Sequence, residues 1–267
     1  MNQPRMVLIT NDDGIASPGL HTLAAGVVAA GLKVTVAAPV TEASGSSASI
    51  TAVENEGRIR IEQRELEGLD GVEAYAVHGA PGFISMIATH GAFGDPPDLV
   101  LSGINRGANV GQAILHSGTV GAALTAGVNG GRGMAVSLDT GMDPAHFHWD
   151  MAARLATGLI PFLMEQAPGT VLNLNVPNTG GPALPEYRPA TLARFGIVQT
   201  TLAERGQQHV RLSIADTKET PDPDSDFALL AAGFAPVTAL QAVTGAPLPA
   251  LHHSLPQPPG VPEAPGV

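Results

Sequence analysis

Two adjacent carboxylates, Asp12 and Asp13, close the apolar run in VLITNDDGIASPGL. An unpaired charge is expensive inside a strand buried on both faces, so the pair belongs at the strand's end. Two other stretches offer hard oxygen donors: the hydroxyl-rich TEASGSSASIT, and DLVLSGINRGANVG with Asn105 and Asn109. Two carboxylates with neutral hydroxyl and amide oxygens suit one small divalent cation, Mg²⁺ or Mn²⁺, whose other coordination positions stay with water and a substrate phosphate. In ILHSGTVGAAL, Ser117 can cap a helix whose free amides at Gly118, Thr119 and Val120 point at whatever precedes it, an end that attracts phosphate. The Ser117 and Thr119 hydroxyls can donate to such an anion, and glycine at 118 lets the backbone approach it. Each fragment also has a plainer reading: NDDG as a turn, the serine loop as a flexible connector, SGTV as an ordinary capped helix.

The elements that must position these residues alternate. Val7-Leu8-Ile9 starts a strand. Ser17 as N-cap and Pro18 at the first helical position open a helix, with Leu20, Leu23, Ala24, Val27 and Val28 on one face and Gly31 ending it. LKVTVAAP, PDLVLSGIN, GMAVSL and TVLNLNVP read as further strands, GTVGAALTAGVNGG as a helix, and Trp149 to Glu165 as another in which Pro161 predicts a kink or an early stop. This alternation predicts an α/β fold with a mostly parallel sheet flanked by helices. In an open parallel sheet the loops after separate strands converge at their carboxyl ends, where ligands bind. The two aspartates, the serine loop and the two asparagines all fall in such loops.

Beyond residue 185 the pattern changes. Short alternating stretches between Tyr187 and Ile214 predict antiparallel hairpins, DSDFALLAAG a short helix and FAPVTAL a returning strand. The expected organisation is a catalytic core over 1–185, hairpin extensions that serve oligomerisation over 186–245, and a flexible proline-rich tail over 246–267. Thirteen basic against twenty-four acidic residues give a formal charge of -11, which repels phosphate backbones and anionic membranes and argues against stable nucleic-acid binding. Cysteine is absent, so any metal is held by oxygen or imidazole. No stretch has the length and apolarity of a membrane span or a signal peptide, and the expected location is the cytoplasm.

In four ordered blocks, VLITNDDGIASPGL, APVTEASGSSASIT, DLVLSGINRGANVG and HSGTVGAA, with LNLNVP and DSDFALLAAGFAPVTAL further on, the chain resembles the SurE-type survival-protein nucleotidases, metal-dependent phosphatases acting on nucleoside monophosphates. The resemblance implies a Rossmann-like core and one divalent ion per subunit held by Asp12, Asp13, Ser44 and Asn105. It implies a phosphate near Asn109, Ser117, Gly118 and Thr119, and a homodimer or homotetramer built through the C-terminal hairpins. Three positions depart from the family pattern: Ala43 stands where arginine is common, Gly79 to Ser85 reads GAPGFIS where a sequence close to GTPADCV is usual, and His116 replaces a common tyrosine. Beside a phosphate-binding turn, His116 could transfer protons near neutral pH.

The leading expectation is hydrolysis of a phosphomonoester by a metal-activated water, with Asp12 and Asp13 as ligands. An aspartyl-phosphate mechanism is the enzymatic rival, although such enzymes generally place their aspartates one residue apart and these are adjacent. A catalytically weak nucleotide- or metal-binding regulator is the alternative from another class, kept open by Ala43 and GAPGFIS. No segment is assigned to the base, or to 5′ against 3′ preference.

Overall fold

A computed structural model describes residues 6–141, 144–181, 183–194, 199–205, 210–215 and 221–244. Its centre is a run of six parallel strands. These are β1 (Val7–Thr10), β2 (Val34–Pro39), β6 (Glu73–Val77), β7 (Leu99–Arg106), β8 (Arg132–Asp139) and β9 (Val171–Pro177). They lie in the order β6-β2-β1-β7-β8-β9. Counted along the chain that is 3-2-1-4-5-6, the Rossmann order, with its reversal between β1 and β7.

Antiparallel additions extend both edges. β5 (Ile61–Arg64) flanks β6, and β13 (Ala235–Leu240) pairs with β9 and carries β10 (Tyr187–Pro189) outside it, completing nine strands. FAPVTAL, the expected returning strand, is β13. β3 (Glu54–Asn55) with β4 (Arg58–Ile59), and β11 (Gln199–Arg205) with β12 (Val210–Ala215), form two small antiparallel sheets. The latter pair falls where alternation predicted hairpins; the expected tail, 246–267, lies outside the described residues. Residues 52 to 96, not assigned from sequence, hold β3 to β6 and a helix, α2 (Pro81–Thr89).

β1, β2 and β9 are buried along their whole length, which is why they are mostly apolar on both faces, with Thr10, Thr35, Asn173 and Asn175 as buried polar exceptions. Strand residues still divide by face. Val7 and Ile9 pack toward α1 (Pro18–Ala29) and α4 (Trp149–Glu165), and Leu8 packs toward α2. Alongside α2 lies α3 (Gly118–Val128).

Two helix expectations are corrected. Val28 is 39% exposed and leaves the apolar face of α1. Pro161 does not stop α4, which runs on to Glu165; the proline is exposed, so the carbonyl deprived of its N–H partner can be served by water. Among the described residues no helix is long and apolar enough to cross a membrane.

Candidate active site

The aspartates end β1 at the point where strand order reverses, and β7 ends beside them. The β7–β8 register slips between Ser102 and Asn105, setting Asn105 opposite Ser137 and Arg106 opposite Leu138. Glycine is required in this slip: at Gly103 φ is +143°, and a Cβ would run into the Val136 carbonyl. The Arg106 N–H then donates to Asp13 Oδ2 at 3.2 Å.

The serine loop after β2 is not a free connector. Its Ala43 N–H donates to the Asp12 carbonyl at 2.7 Å, and its Ser47 hydroxyl donates to the Leu115 carbonyl at 2.6 Å. It thus bridges the end of β1 to the 3₁₀ turn Gly111–His116 that leads into α3.

These loops enclose a cleft of about 520 Å³. It brings together Asp12, Asp13, Ser44, Asn105, Asn109, His116 and Ser117, seven of the residues singled out from sequence. Gly118 and Thr119 lie behind it. Thr119 is fully buried, and its hydroxyl donates to Asp12 Oδ1. A Cβ at Gly118 would stand 2.8 Å from Asp12 Oδ2 and collide with the Ser46 hydroxyl. The sequence expectation of three free helix amides needs correction too, because Ser117 Oγ accepts from the Val120 N–H at 3.1 Å. The Gly118 and Thr119 amides remain, and they face the Asp12 carboxylate. Ser17 has N-cap backbone geometry but no capping bond, and it lines the cleft instead.

Burial governs the charges. Asp12 is 5% exposed and its pKa is raised by loss of solvent, an effect that the Thr119 hydroxyl and nearby backbone N–H groups offset in part. Asp13 is pushed up to about 6, first by burial and next by the neighbouring Asp12 charge, with Glu42 adding to it. Arg106 is the one Lys or Arg lining the cleft among the described residues. An anion entering alone would meet net negative charge; a cation would relieve it.

The donor set fits a hard divalent ion. Asn105 Nδ2 donates to the Gly107 carbonyl at 2.8 Å, which leaves the amide oxygen as its available donor atom. The Ser44 hydroxyl, on the cleft wall, donates to Glu42 at 2.6 Å. No group of three or more His, Asp or Glu side chains suited to a metal occurs among the described residues, so the set is two carboxylates supplemented by neutral oxygens.

Sequence reasoning missed the supports. The Asn109 carbonyl accepts from Asn173 Nδ2 at 2.9 Å and Asn175 Nδ2 at 2.8 Å, while its own amide donates to Ser137 at 2.8 Å. Asn173 and Asn175 are fully buried. Two asparagines at alternate positions of an otherwise apolar strand were the readable signal.

Asp226 left no such signal. Fully buried at the start of α5 (Asp226–Ala231), it accepts from the Gly111 N–H at 2.8 Å and the Ala193 N–H at 2.9 Å, which anchors the turn before α3. Asp226→Asn turns an N–H₂ toward one of these donors and should destabilise the fold by roughly 2 kcal/mol or more. Thermal unfolding should show a loss of several degrees; an unchanged midpoint would mean that Asp226 anchors nothing.

The family model described as survival protein SurE matches residues 7–202. A relative named 5′-nucleotidase SurE from Methanopyrus kandleri is 41% identical over 181 residues, covering 64% of this chain and 66% of that protein. One named 5′/3′-nucleotidase SurE from Edwardsiella ictaluri is 32% identical over 241 residues, covering 88% and 89%. The crystal structure of the SurE protein from Aquifex aeolicus superimposes with a TM-score of 0.68 over 88% of this chain and 93% of that one; at 24% identity it bears on the fold alone.

Proposed function

From the premise that the chain belongs to the survival protein SurE family and is a hydrolase of that general type, we propose that it is a divalent-metal-dependent nucleotidase that hydrolyses nucleoside monophosphates to nucleoside and phosphate. The observation that carries this reading is the meeting of Asp12, Asp13, Asn105 and Ser117 in one anionic cleft at the strand-order reversal.

Asp12, Asp13, Ser44 and Asn105 would hold one Mg²⁺ or Mn²⁺. When bound, such an ion polarises a phosphoryl oxygen and lowers the pKa of a water molecule. Asp12 is the fixed member of the pair, gripped by Thr119 and backed by Gly118; these two residues act through it and orient it. Ser117 Oγ already accepts from Val120, so its proton is available for a phosphate oxygen. Asn109, Ser117 and Arg106 supply the direct phosphate contacts. His116, on the cleft wall, would protonate the departing nucleoside oxygen.

The raised pKa of Asp13 sets a pH dependence. Its folded value of about 6 exceeds the ordinary 3.8, so the metal-free protein holds an extra proton between those values. Its contribution to metal-free stability is full below about pH 4 and is lost as pH rises through about 6. The stabilisation conferred by added Mn²⁺ should grow over the same window, because a ligating carboxylate must be deprotonated. Thermal unfolding with and without Mn²⁺ across pH 4 to 8 checks the difference; a pH-independent metal effect would count against Asp13 as a ligand.

β11 and β12 form a two-stranded sheet separate from the main one, and such a pair is marginal alone. Pairing across a homodimer or homotetramer interface would stabilise it. Light scattering at micromolar concentration tests this, with a monomer mass as the contrary result.

The proposed reaction itself is tested by phosphate release from a panel of nucleoside monophosphates with added Mg²⁺ or Mn²⁺. Binding without turnover throughout the panel would favour the regulator. A trapped phosphoaspartate would favour the covalent rival.

A further inference from the structure

Beside its polar groups the cleft is lined by apolar residues with no role in holding a metal or a phosphate, Trp149 and Pro18 among them. Trp149, at the first turn of α4, lines the cleft on the side of α1, whose first turn contributes Pro18. α1 and α4 pack against each other on one face of the sheet, whereas Ser44 and Ser117 come from the side of α3. The cleft thus crosses the sheet's carboxyl edge, with the aspartates between its two sides.

Trp149 is held in place. Its ring stacks on Phe147 at 5.2 Å between centroids and 2° between planes, and the Arg106 guanidinium lies 5.2 Å from the centre of the Phe147 ring. The backbone on either side of Phe147 is clamped by one side chain just past β9: Asn178 Oδ1 accepts from the His148 N–H at 2.9 Å, and Asn178 Nδ2 donates to the His146 carbonyl at 2.8 Å. A half-buried indole, fixed from behind and lining a polar cleft, offers a flat apolar surface at little entropic cost.

We infer that Trp149 is the platform on which the base of the nucleoside monophosphate stacks, with Asn178 and Phe147 positioning it. The inference rests on the phosphomonoesterase reading for the location of the phosphate, and it names what distinguishes a nucleotide from any other phosphate ester at this site. Stacking recognises every base, because each has a π-face, and it predicts broad base tolerance.

Trp149 is the single tryptophan of the chain, so indole fluorescence reports on this position directly. With Mg²⁺ present, nucleoside monophosphates should quench it saturably, and ribose 5-phosphate, which lacks a base, should not. The preference in kcat/KM for a nucleoside monophosphate over ribose 5-phosphate should fall about 10- to 100-fold in Trp149→Ala and be largely kept by Trp149→Phe.

Equal fluorescence responses to the two ligands, or an unchanged preference in Trp149→Ala, would overturn the inference. Such a result would instead favour the neighbouring cleft, lined by His78, Gly79 and Ala80, as the base site. The two readings fail separately. Hydrolysis of both esters without base-dependent quenching removes the platform and leaves the phosphomonoesterase. Base-dependent quenching without hydrolysis of either ester keeps the platform and removes the enzyme.

Discussion

Asp13→Asn should weaken Mn²⁺ binding and lower phosphatase kcat/KM by at least about 100-fold, since even partners behind a metal ligand are worth 10- to 100-fold. The change keeps the shape of the side chain and removes one of the two carboxylates that give the proposed site its charge. The same substitution should leave the metal-free protein no less stable at pH 7 to 8, and should stabilise it somewhat. There the wild-type carboxylate is ionised against its own tendency, raised to about 6 by burial and by Asp12. Removing that charge should return on the order of 1–2 kcal/mol after allowance for solvent screening, less the weakened bond from the Arg106 N–H. A structural aspartate closing a turn would give the opposite sign. With Mn²⁺ at about 100 times its dissociation constant, wild type should gain about 2.7 kcal/mol, which is roughly 5–10 °C, and the variant almost nothing.

Gly118→Ala should also be damaging, for a steric reason. Alanine in place of glycine ordinarily strengthens a helix by about 1 kcal/mol. Here the added methyl would sit 2.8 Å from the Asp12 carboxylate and against the Ser46 hydroxyl, so either α3 or Asp12 must move. Overpacking of this kind costs about 1–3 kcal/mol, which outweighs the helical gain. The expected result is a lower unfolding midpoint together with at least a tenfold loss of turnover, because Asp12 is the member of the pair that α3 holds. Wild-type turnover in Gly118→Ala would show that α3 does not position Asp12.

Much of this arrangement was legible before any coordinates. Strands buried on both faces announce themselves as apolar runs, and NDDG at the end of one of them has few uses that tolerate two charges. β1, β2, β7, β8 and β9 are readable on those grounds, as are α1, α3 and α4 from their apolar spacing, and with them the loops that meet at the cleft. What escaped has physical causes. β6 holds only five residues, EAYAV, two of them alanine, and α2 is nine residues long, so neither develops a strong period. Asp226 lies 115 residues from the Gly111 N–H it accepts from, and tertiary contacts, the Thr191–Ser225 bridge and the packing of α5 on β13 and β9, bring them together. Thr119 reads as a phosphate donor because its hydroxyl lies at a helix N-terminus; the sequence does not show that this hydroxyl donates to the Asp12 carboxylate. Trp149 looked like the start of an amphipathic helix, and its place on a cleft wall depends on α1 and α4 packing side by side.

The most direct test of a metal-dependent nucleotidase at Asp12 and Asp13 is phosphate release from a nucleoside monophosphate by protein stripped with EDTA, before and after Mn²⁺ or Mg²⁺ is returned. Turnover should be absent from the stripped protein, return with the ion, and fail to return in Asp13→Asn. Equal turnover by the stripped and metal-loaded protein, or full recovery in Asp13→Asn, would contradict the assignment.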